Sequence, residues 1–338
     1  MYSINPDYLE FRCQDTTGYI SSFITNGSNK LYIISQNLKL SKTLDFKYYS
    51  QKYLKCFEIL LNEEKIGFLY TDPVRNTYYS TNDIISIRID NQVLYNPELS
   101  SILKQSLDEL QLTFKGISRL DIAYDTDVDV LKKFKRLYNQ LNRYSYKNRG
   151  KTTVNGTGLY DTQINIGSLR SQGKTVIIYD KSTLLRQQSK AYLNDLYETI
   201  FHDDSVYRVE VRVTSKYIGK YDINLYKLSD KKYLESLFIE FSESMLDFRY
   251  KQSNTNTTRQ KKVPFLELNG SSINLTKKLK STVVKGNNSM KYLIWKLHCD
   301  LKRGEFQLMK REIMKVIGLY VEMSGLQDWY RKKEILER

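Results

Sequence analysis

Histidine is almost missing from this chain. His202 and His298 are the only two in 338 residues. His202 is followed by Asp-Asp-Ser and His298 by Cys-Asp-Leu, so neither sits in an HxH, HExxH or HxxR pattern. That excludes a His-clustered zinc hydrolase. It also excludes tyrosine recombinases, which need Arg…HxxR…Tyr. Any metal must rest on carboxylates, which points to Mg²⁺ or Mn²⁺. Cysteine is scarce too: Cys13, Cys56 and Cys299 are far apart and form no CxxC. This argues against a disulfide framework or a structural zinc and for a reducing compartment. Four prolines and 15 glycines argue against a linker-rich or fibrous chain. The start, MYSINPDYLEF, lacks a basic stretch followed by an apolar one, so no signal peptide is expected. The longest apolar runs, such as Ile313–Tyr320, are interrupted by Lys and Gly and cannot span a bilayer. The expectation is a soluble, cytoplasmic protein with no membrane partner.

What is present is a sizeable hydrophobic fraction, 41%, with 28 tyrosines and a net charge of +15. The length allows two modest domains or one with extensions. The first hundred residues read as β-rich. Leu54–Leu61 and Lys65–Tyr70 are apolar runs separated by Asn62-Glu63-Glu64, a hairpin, and Asp83–Asp90 alternates as a third strand. Pro97-Glu98-Leu99 opens a helix running to Leu110. A strand follows at Ile117–Asp125, then a basic helix at Val128–Leu141. Tyr160–Gly167 pairs with Lys174–Tyr179, Ser182–Phe201 is mostly helical, and Val206–Val213 is a strand. Apolar residues at 234, 237, 238, 241, 245 and 248 give Lys231–Phe248 a helical period. Gln252–Lys262 is the best linker, and Met290–Leu301 and Glu305–Met323 are the last helices. The fold class expected is α+β: a central, mainly antiparallel sheet with flanking helices, a β-rich N-terminal part and a helical C-terminal part. The divisions expected are 1–112, a β-rich N-terminal region; 113–250, a core; and 263–338, a helical region that contacts DNA.

Strand residues two apart share a face, so the central strands sort by inspection. Arg119, Asp121 and Asp125 oppose Leu120, Ile122 and Tyr124; Arg208, Glu210 and Arg212 oppose Tyr207, Val209, Val211 and Val213. Thr175, Ile177, Tyr179 and Lys181 oppose Val176 and Ile178, and Gln163 and Asn165 oppose Ile164 and Ile166. For one strand alone, this describes a wet sheet face decorated with ion pairs. Together, the strands place Asp121, Asp125 and Glu210 where short carboxylates can converge on one cation. Such a metal polarises a phosphoryl oxygen while a tyrosine oxygen attacks phosphorus. Arginine forks and Lys181 would carry the charge that develops on the phosphate.

The run INIGSLRSQGKTVIIYDKS (Ile164–Ser182) resembles the Gly-Ser-x-x-Ser…Ile-Tyr-x-Lys signature of the Rep_trans family of plasmid rolling-circle replication initiators. That family is similar to relaxases of integrative elements and to some phage initiators. SRLDIAYD (Ser118–Asp125) and YRVEVRV (Tyr207–Val213) match its other two blocks in order and spacing. The resemblance covers about a third of the chain, from Ile117 to Val213. It implies an origin-specific nicking and joining enzyme that forms a 5′-phosphotyrosyl link and leaves a 3′-OH. By position, the nucleophile is Tyr179, with Lys181, Arg208 and Arg212 beside it. Asp121 and Glu210 are the implied metal ligands, with Asp125 as a third or else as the cap of the following helix. The implied partners are origin DNA, both double- and single-stranded, a helicase and a second copy of the chain, in the cytoplasm of a bacterial host. The competing readings are a non-catalytic sequence-specific DNA-binding protein and a metal-dependent nuclease that uses water.

From Leu131 to Tyr160 there are eight basic residues and no Asp or Glu, with Phe134, Tyr138, Tyr144 and Tyr146 interleaved. Phosphate contacts supply non-specific affinity and aromatic faces stack unpaired bases. Lys132, Lys133, Lys135, Arg136, Arg143, Lys147 and Arg149 are therefore candidate DNA contacts, with Arg170 in the following hairpin. The competing reading is a solvated helix and loop.

Overall fold

A computed structural model describes residues 1–268, apart from 21, 23–30, 44–52, 74–83, 158–159, 188–190, 202–204, 253–255 and 257–258. The two expected C-terminal helices, His202, His298 and Cys299 lie outside the described residues. The described part belongs to one compact unit, Met1–Lys277.

The N-terminal strands are β1 (Tyr2–Gln14), β2 (Leu31–Ile33), β3 (Leu38–Lys42), β4 (Tyr53–Leu61), β5 (Glu64–Pro73) and β6 (Ile84–Ile89). Two helices follow, α1 (Asn91–Leu94) and α2 (Leu99–Glu109), before the long β7 (Thr113–Thr126) and the basic α3 (Val130–Asn139). Next come β8 (Tyr144–Tyr146), β9 (Thr152–Thr157), β10 (Tyr160–Ser168), the one-turn α4 (Leu169–Gln172) and β11 (Lys174–Asp180). The remainder is α5 (Lys181–Gln187), α6 (Ala191–Ile200), β12 (Tyr207–Thr214), α7 (Ser215–Ile218), α8 (Lys231–Ser242), β13 (Phe248–Tyr250) and β14 (Lys262–Val263). Eleven strands form one sheet in the order β2-β3-β4-β5-β6-β1-β7-β12-β11-β10-β9. Every neighbouring pair is antiparallel. The mixed α+β class with an antiparallel sheet and flanking helices is thus observed. The expected boundary at residue 112 falls within this sheet, where β1 pairs with both β6 and β7.

Local chemistry explains the elements. The β4–β5 hairpin turns at Asn62 and Glu63, both at positive φ (50° and 67°), which suits the right-handed twist of the strands it joins. The basic helix is capped by Asp129, whose side chain accepts from Lys132 N at 2.8 Å, not by Asp125. One expectation is corrected: α8 ends at Ser242 instead of reaching Phe248. Phe248 opens β13 and stacks on Tyr146 of β8, with ring centroids 4.3 Å apart. Aromatic burial on a second, three-stranded sheet outweighs the helical spacing there.

The central strands are two-faced, as the alternation predicts. On one side Leu120, Ile122, Ile164, Ile166, Val176, Ile178, Val209, Val211 and Val213 have no exposed surface. Each such side chain contributes about 1.5–3 kcal/mol relative to exposure. α3 and α8 cover this side: Phe134 packs on Phe248 and Phe265, and Tyr124 packs on Phe238. The other side carries the ionisable groups.

Candidate active site

Register brings the polar residues into three rows. Tyr179, Arg208 and Asp125 are opposite one another on β11, β12 and β7. Ile177, Glu210 and Ala123 form the next row, and Thr175, Arg212 and Asp121 the third, with Tyr8 of β1 beside Asp121. Diagonal neighbours across antiparallel strands lie about 7–8 Å apart, within reach of long side chains. Tyr179 uses that reach: its hydroxyl donates to Glu210 Oε2 at 3.0 Å. The other oxygen of Glu210 accepts from Arg212 Nε at 2.6 Å. The same Nε lies 3.6 Å from Asp121 Oδ2. Two carboxylates therefore flank one cationic nitrogen. Arg119 completes the cluster, donating to Asp121 through Nε at 2.9 Å and Nη2 at 2.5 Å.

The cluster is layered. The Asp121 and Glu210 side chains are 2% exposed, whereas those of Arg119 and Arg212 are 31% and 32% exposed. Tyr179 is buried at 8%. Burial, with the charge of Glu210 added, pushes the Asp121 carboxyl up to about 7, while Arg119 and Arg212 hold it back. Burial also pushes the Tyr179 phenol well above its ordinary value; Glu210 adds to this and Arg208 opposes it. Desolvation of the charged form outweighs the neighbouring Arg208 cation.

Asp125 and Arg208 are not part of this cluster. Asp125 shares a face with Asp121 but lies four residues along the strand, roughly 13 Å at about 3.3 Å per residue. Both residues are fully buried. Arg208 donates to Asp125 through Nε (2.6 Å) and Nη2 (2.8 Å), to Asp7 through Nη1 (2.7 Å), and to the hydroxyls of Tyr95 (3.0 Å) and Tyr197 (2.8 Å). Those hydroxyls donate onward, Tyr95 to Asp7 and Tyr197 to Asp125. The expected roles of Asp125 as a metal ligand and Arg208 as a phosphate contact are corrected: every nitrogen of Arg208 is engaged, and the pair fixes the strand beside Tyr179. Asp7, Tyr95 and Tyr197 are the partners that sequence reasoning missed. Asp7 sits where the β1–β7 register slips between Pro6 and Tyr8, and such bulges re-aim a side chain without leaving a sequence mark.

Lys181 falls past the strand end, as the first residue of α5, and is buried at 7%. Its Nζ is 5.9 Å from the Tyr179 ring centroid. Asp180 is engaged by Thr183, whose N and Oγ1 donate to it at 3.2 and 2.8 Å. The Gly-Ser-x-x-Ser run has a positional role. Gly167 (φ +85°) and Gly173 (φ +73°) bracket α4, and Ser168 Oγ accepts from Ser171 N at 3.4 Å. A Cβ on Gly173 would stand 3.0 Å from Tyr217 N, so the turn that sets the β11 register needs glycine there.

The basic helix lies on the opposite side of the sheet. Lys132 and Arg136 are exposed, while Lys133 and Lys135 are half-buried, on the helix that packs against the apolar face. Burial holds the Lys133 ammonium below its ordinary value. Arg143, Lys147 and Arg170 are exposed. Arg149 lies 4.0 Å over the Tyr138 ring and donates to the Tyr138 carbonyl. The structure does not bring this group together with Tyr179. Tyr124 is also on the apolar face, with its hydroxyl 3.4 Å from the Glu267 carbonyl.

Among the described residues no three His, Cys, Asp or Glu side chains gather as a metal cage. The pair Asp121 and Glu210 does suit a hard dication. Mg²⁺ is commonly held by one or two carboxylates, with waters and substrate phosphates completing the shell. No helix among the described residues is long and apolar enough to cross a membrane.

No protein-family model and no curated protein matches the chain. Among solved structures, it is similar to a rolling circle replication initiator protein from Geobacillus stearothermophilus. The TM-score is 0.44 at 12% identity, covering 78% of this chain and 94% of that one.

Proposed function

We propose that the chain is a DNA nickase and strand transferase that attacks the backbone with Tyr179 and starts rolling-circle replication or mobilisation of a genetic element. The observation that carries this is the hydrogen bond from Tyr179 to a carboxylate whose other oxygen already faces a cation. A raised phenol pKa makes a free phenolate scarce, so the proton must leave as the new bond forms. Glu210 Oε2, which accepts from that hydroxyl at 3.0 Å, would take it. The Tyr179 oxygen then bonds to phosphorus as the bond to the 3′ oxygen of the upstream nucleotide breaks. That oxygen takes a proton from water, Glu210 returns its proton to solvent, and the products are a 5′-phosphotyrosyl link and a 3′-OH. Strand placement of Tyr179, backed by the buried Arg208 network, favours an in-line approach. Arg119 and Arg212 are forks suited to phosphate oxygens. A divalent metal, Mg²⁺ or Mn²⁺, on Asp121 and Glu210 would supply Lewis-acid stabilisation of the phosphoryl oxygens. Origin DNA is the partner this chemistry requires.

The test uses labelled single-stranded oligonucleotides tiled across the DNA flanking the coding sequence, run on denaturing gels. The expected result is a protein–DNA adduct and a nick with Mn²⁺, and neither in excess EDTA. Asp121→Ala should lose cleavage but keep DNA binding. Cleavage without an adduct would move the assignment to a nuclease that uses water. Binding without cleavage would move it to a non-catalytic DNA-binding protein.

A further inference from the structure

We propose that Arg119 and Arg212 are exchangeable counter-cations. In the protein alone they neutralise Asp121 and Glu210, and when a divalent cation takes those carboxylates they are released to hold the phosphate of the DNA strand. This rests on the metal assignment made above and adds a coupling between metal and DNA.

Three observations lead to it. First, Arg212 Nε lies 2.6 Å from Glu210 and 3.6 Å from Asp121, the position between two carboxylates that a bound cation would contest. Second, the guanidiniums form the outer layer, about a third exposed, over carboxylates that are 2% exposed. A phosphate approaching the two carboxylates meets the arginines first, and their forks are already turned inward. Third, Arg119 has a contact besides Asp121. Its guanidinium lies 4.2 Å over the Tyr8 ring, and a cation–π contact of that kind keeps the side chain on this face once the carboxylate has gone.

Charge balance supplies the coupling. With both carboxylates ionised, two guanidiniums and two carboxylates are neutral together, so a dication leaves the cluster positive and a phosphate lowers that charge again. Metal should therefore tighten DNA, and DNA should tighten metal by the same factor.

Mn²⁺ binding to the full chain without DNA, followed by calorimetry, tests the first half. Arg212→Gln removes the internal competitor and should bind Mn²⁺ roughly tenfold tighter than wild type, within the usual range of coupling between sites. Arg119→Gln should shift affinity in the same direction. Arg12→Gln is the control for general electrostatics: Arg12 is an exposed guanidinium whose Nε donates to Ser118 Oγ at 3.2 Å, and its loss should change Mn²⁺ affinity less than roughly twofold. The second half uses the non-cleaving Tyr179→Phe chain and oligothymidylate. Mn²⁺ should tighten that binding roughly tenfold, and adding Arg212→Gln should abolish the gain. Equal tightening by Arg12→Gln and Arg212→Gln, or unchanged Mn²⁺ affinity in Arg212→Gln, would overturn the exchange and leave the metal site standing. A wild-type chain that binds no Mn²⁺ would overturn both.

Discussion

Arg208 and Asp125 meet across β12 and β7 with no exposed surface on either side chain, Arg208 Nε being 2.6 Å from Asp125 Oδ1. A buried ion pair of this kind is a weak source of net stability, but removing one partner strands the other charge. Asp125→Ala should cost about 3–5 kcal/mol in urea denaturation. A substitution that leaves the midpoint unmoved would show that Asp125 is not tied up in the fold and would reopen its candidacy as a metal ligand.

The same network predicts an acid dependence. Burial alone would raise the Asp7 carboxyl, but the charges of Arg208 and Lys181 outweigh it and hold the group well below its ordinary value. A depressed carboxyl contributes stability above its unfolded pKa, near ~4, and loses it as pH falls toward the folded value. Asp7→Asn should therefore be less stable than wild type at neutral pH, with the gap closing below about pH 4. A gap that instead widens in acid would reverse the sign of the interaction.

The placement of the basic helix predicts that duplex binding and strand cleavage can be separated by mutation. Lys132 and Arg136 are exposed on the side of the sheet away from Tyr179. Replacing both by Ala should weaken duplex binding across sequences and lower the salt slope by about two units, one per phosphate contact. Cleavage of a saturating single-stranded oligonucleotide should be unaffected. Loss of that cleavage would place the helix at the scissile strand after all.

Much of the site was legible because alternation is a reliable guide to faces. Asp121, Glu210, Arg212 and Tyr179 all sort to one side by counting, and the register brings them together. Counting fails along a strand, where a shared face does not mean proximity, and so Asp125 was grouped with a carboxylate about 13 Å away. β1 escaped notice because its three register shifts break the alternation that identifies a strand. The same irregularity delivers Asp7 to Arg208. Arg119 was visible on the polar face, but nothing in its spacing distinguishes a ligand to Asp121 from a solvated charge. Burial cannot be read from residue types alone, so the direction in which the Tyr179 phenol shifts is not legible in the sequence.

The most direct test of the central claim is the covalent adduct formed by Tyr179→Phe. This change keeps the ring and its packing and deletes the oxygen that donates to Glu210. With Mn²⁺ and the tiled oligonucleotides, wild type should give a labelled adduct whose peptide maps to β11. The Phe variant should fold and bind the same DNA, yet give neither adduct nor nick. An adduct in the Phe variant, mapping to another tyrosine, would contradict the assignment of Tyr179 as the nucleophile.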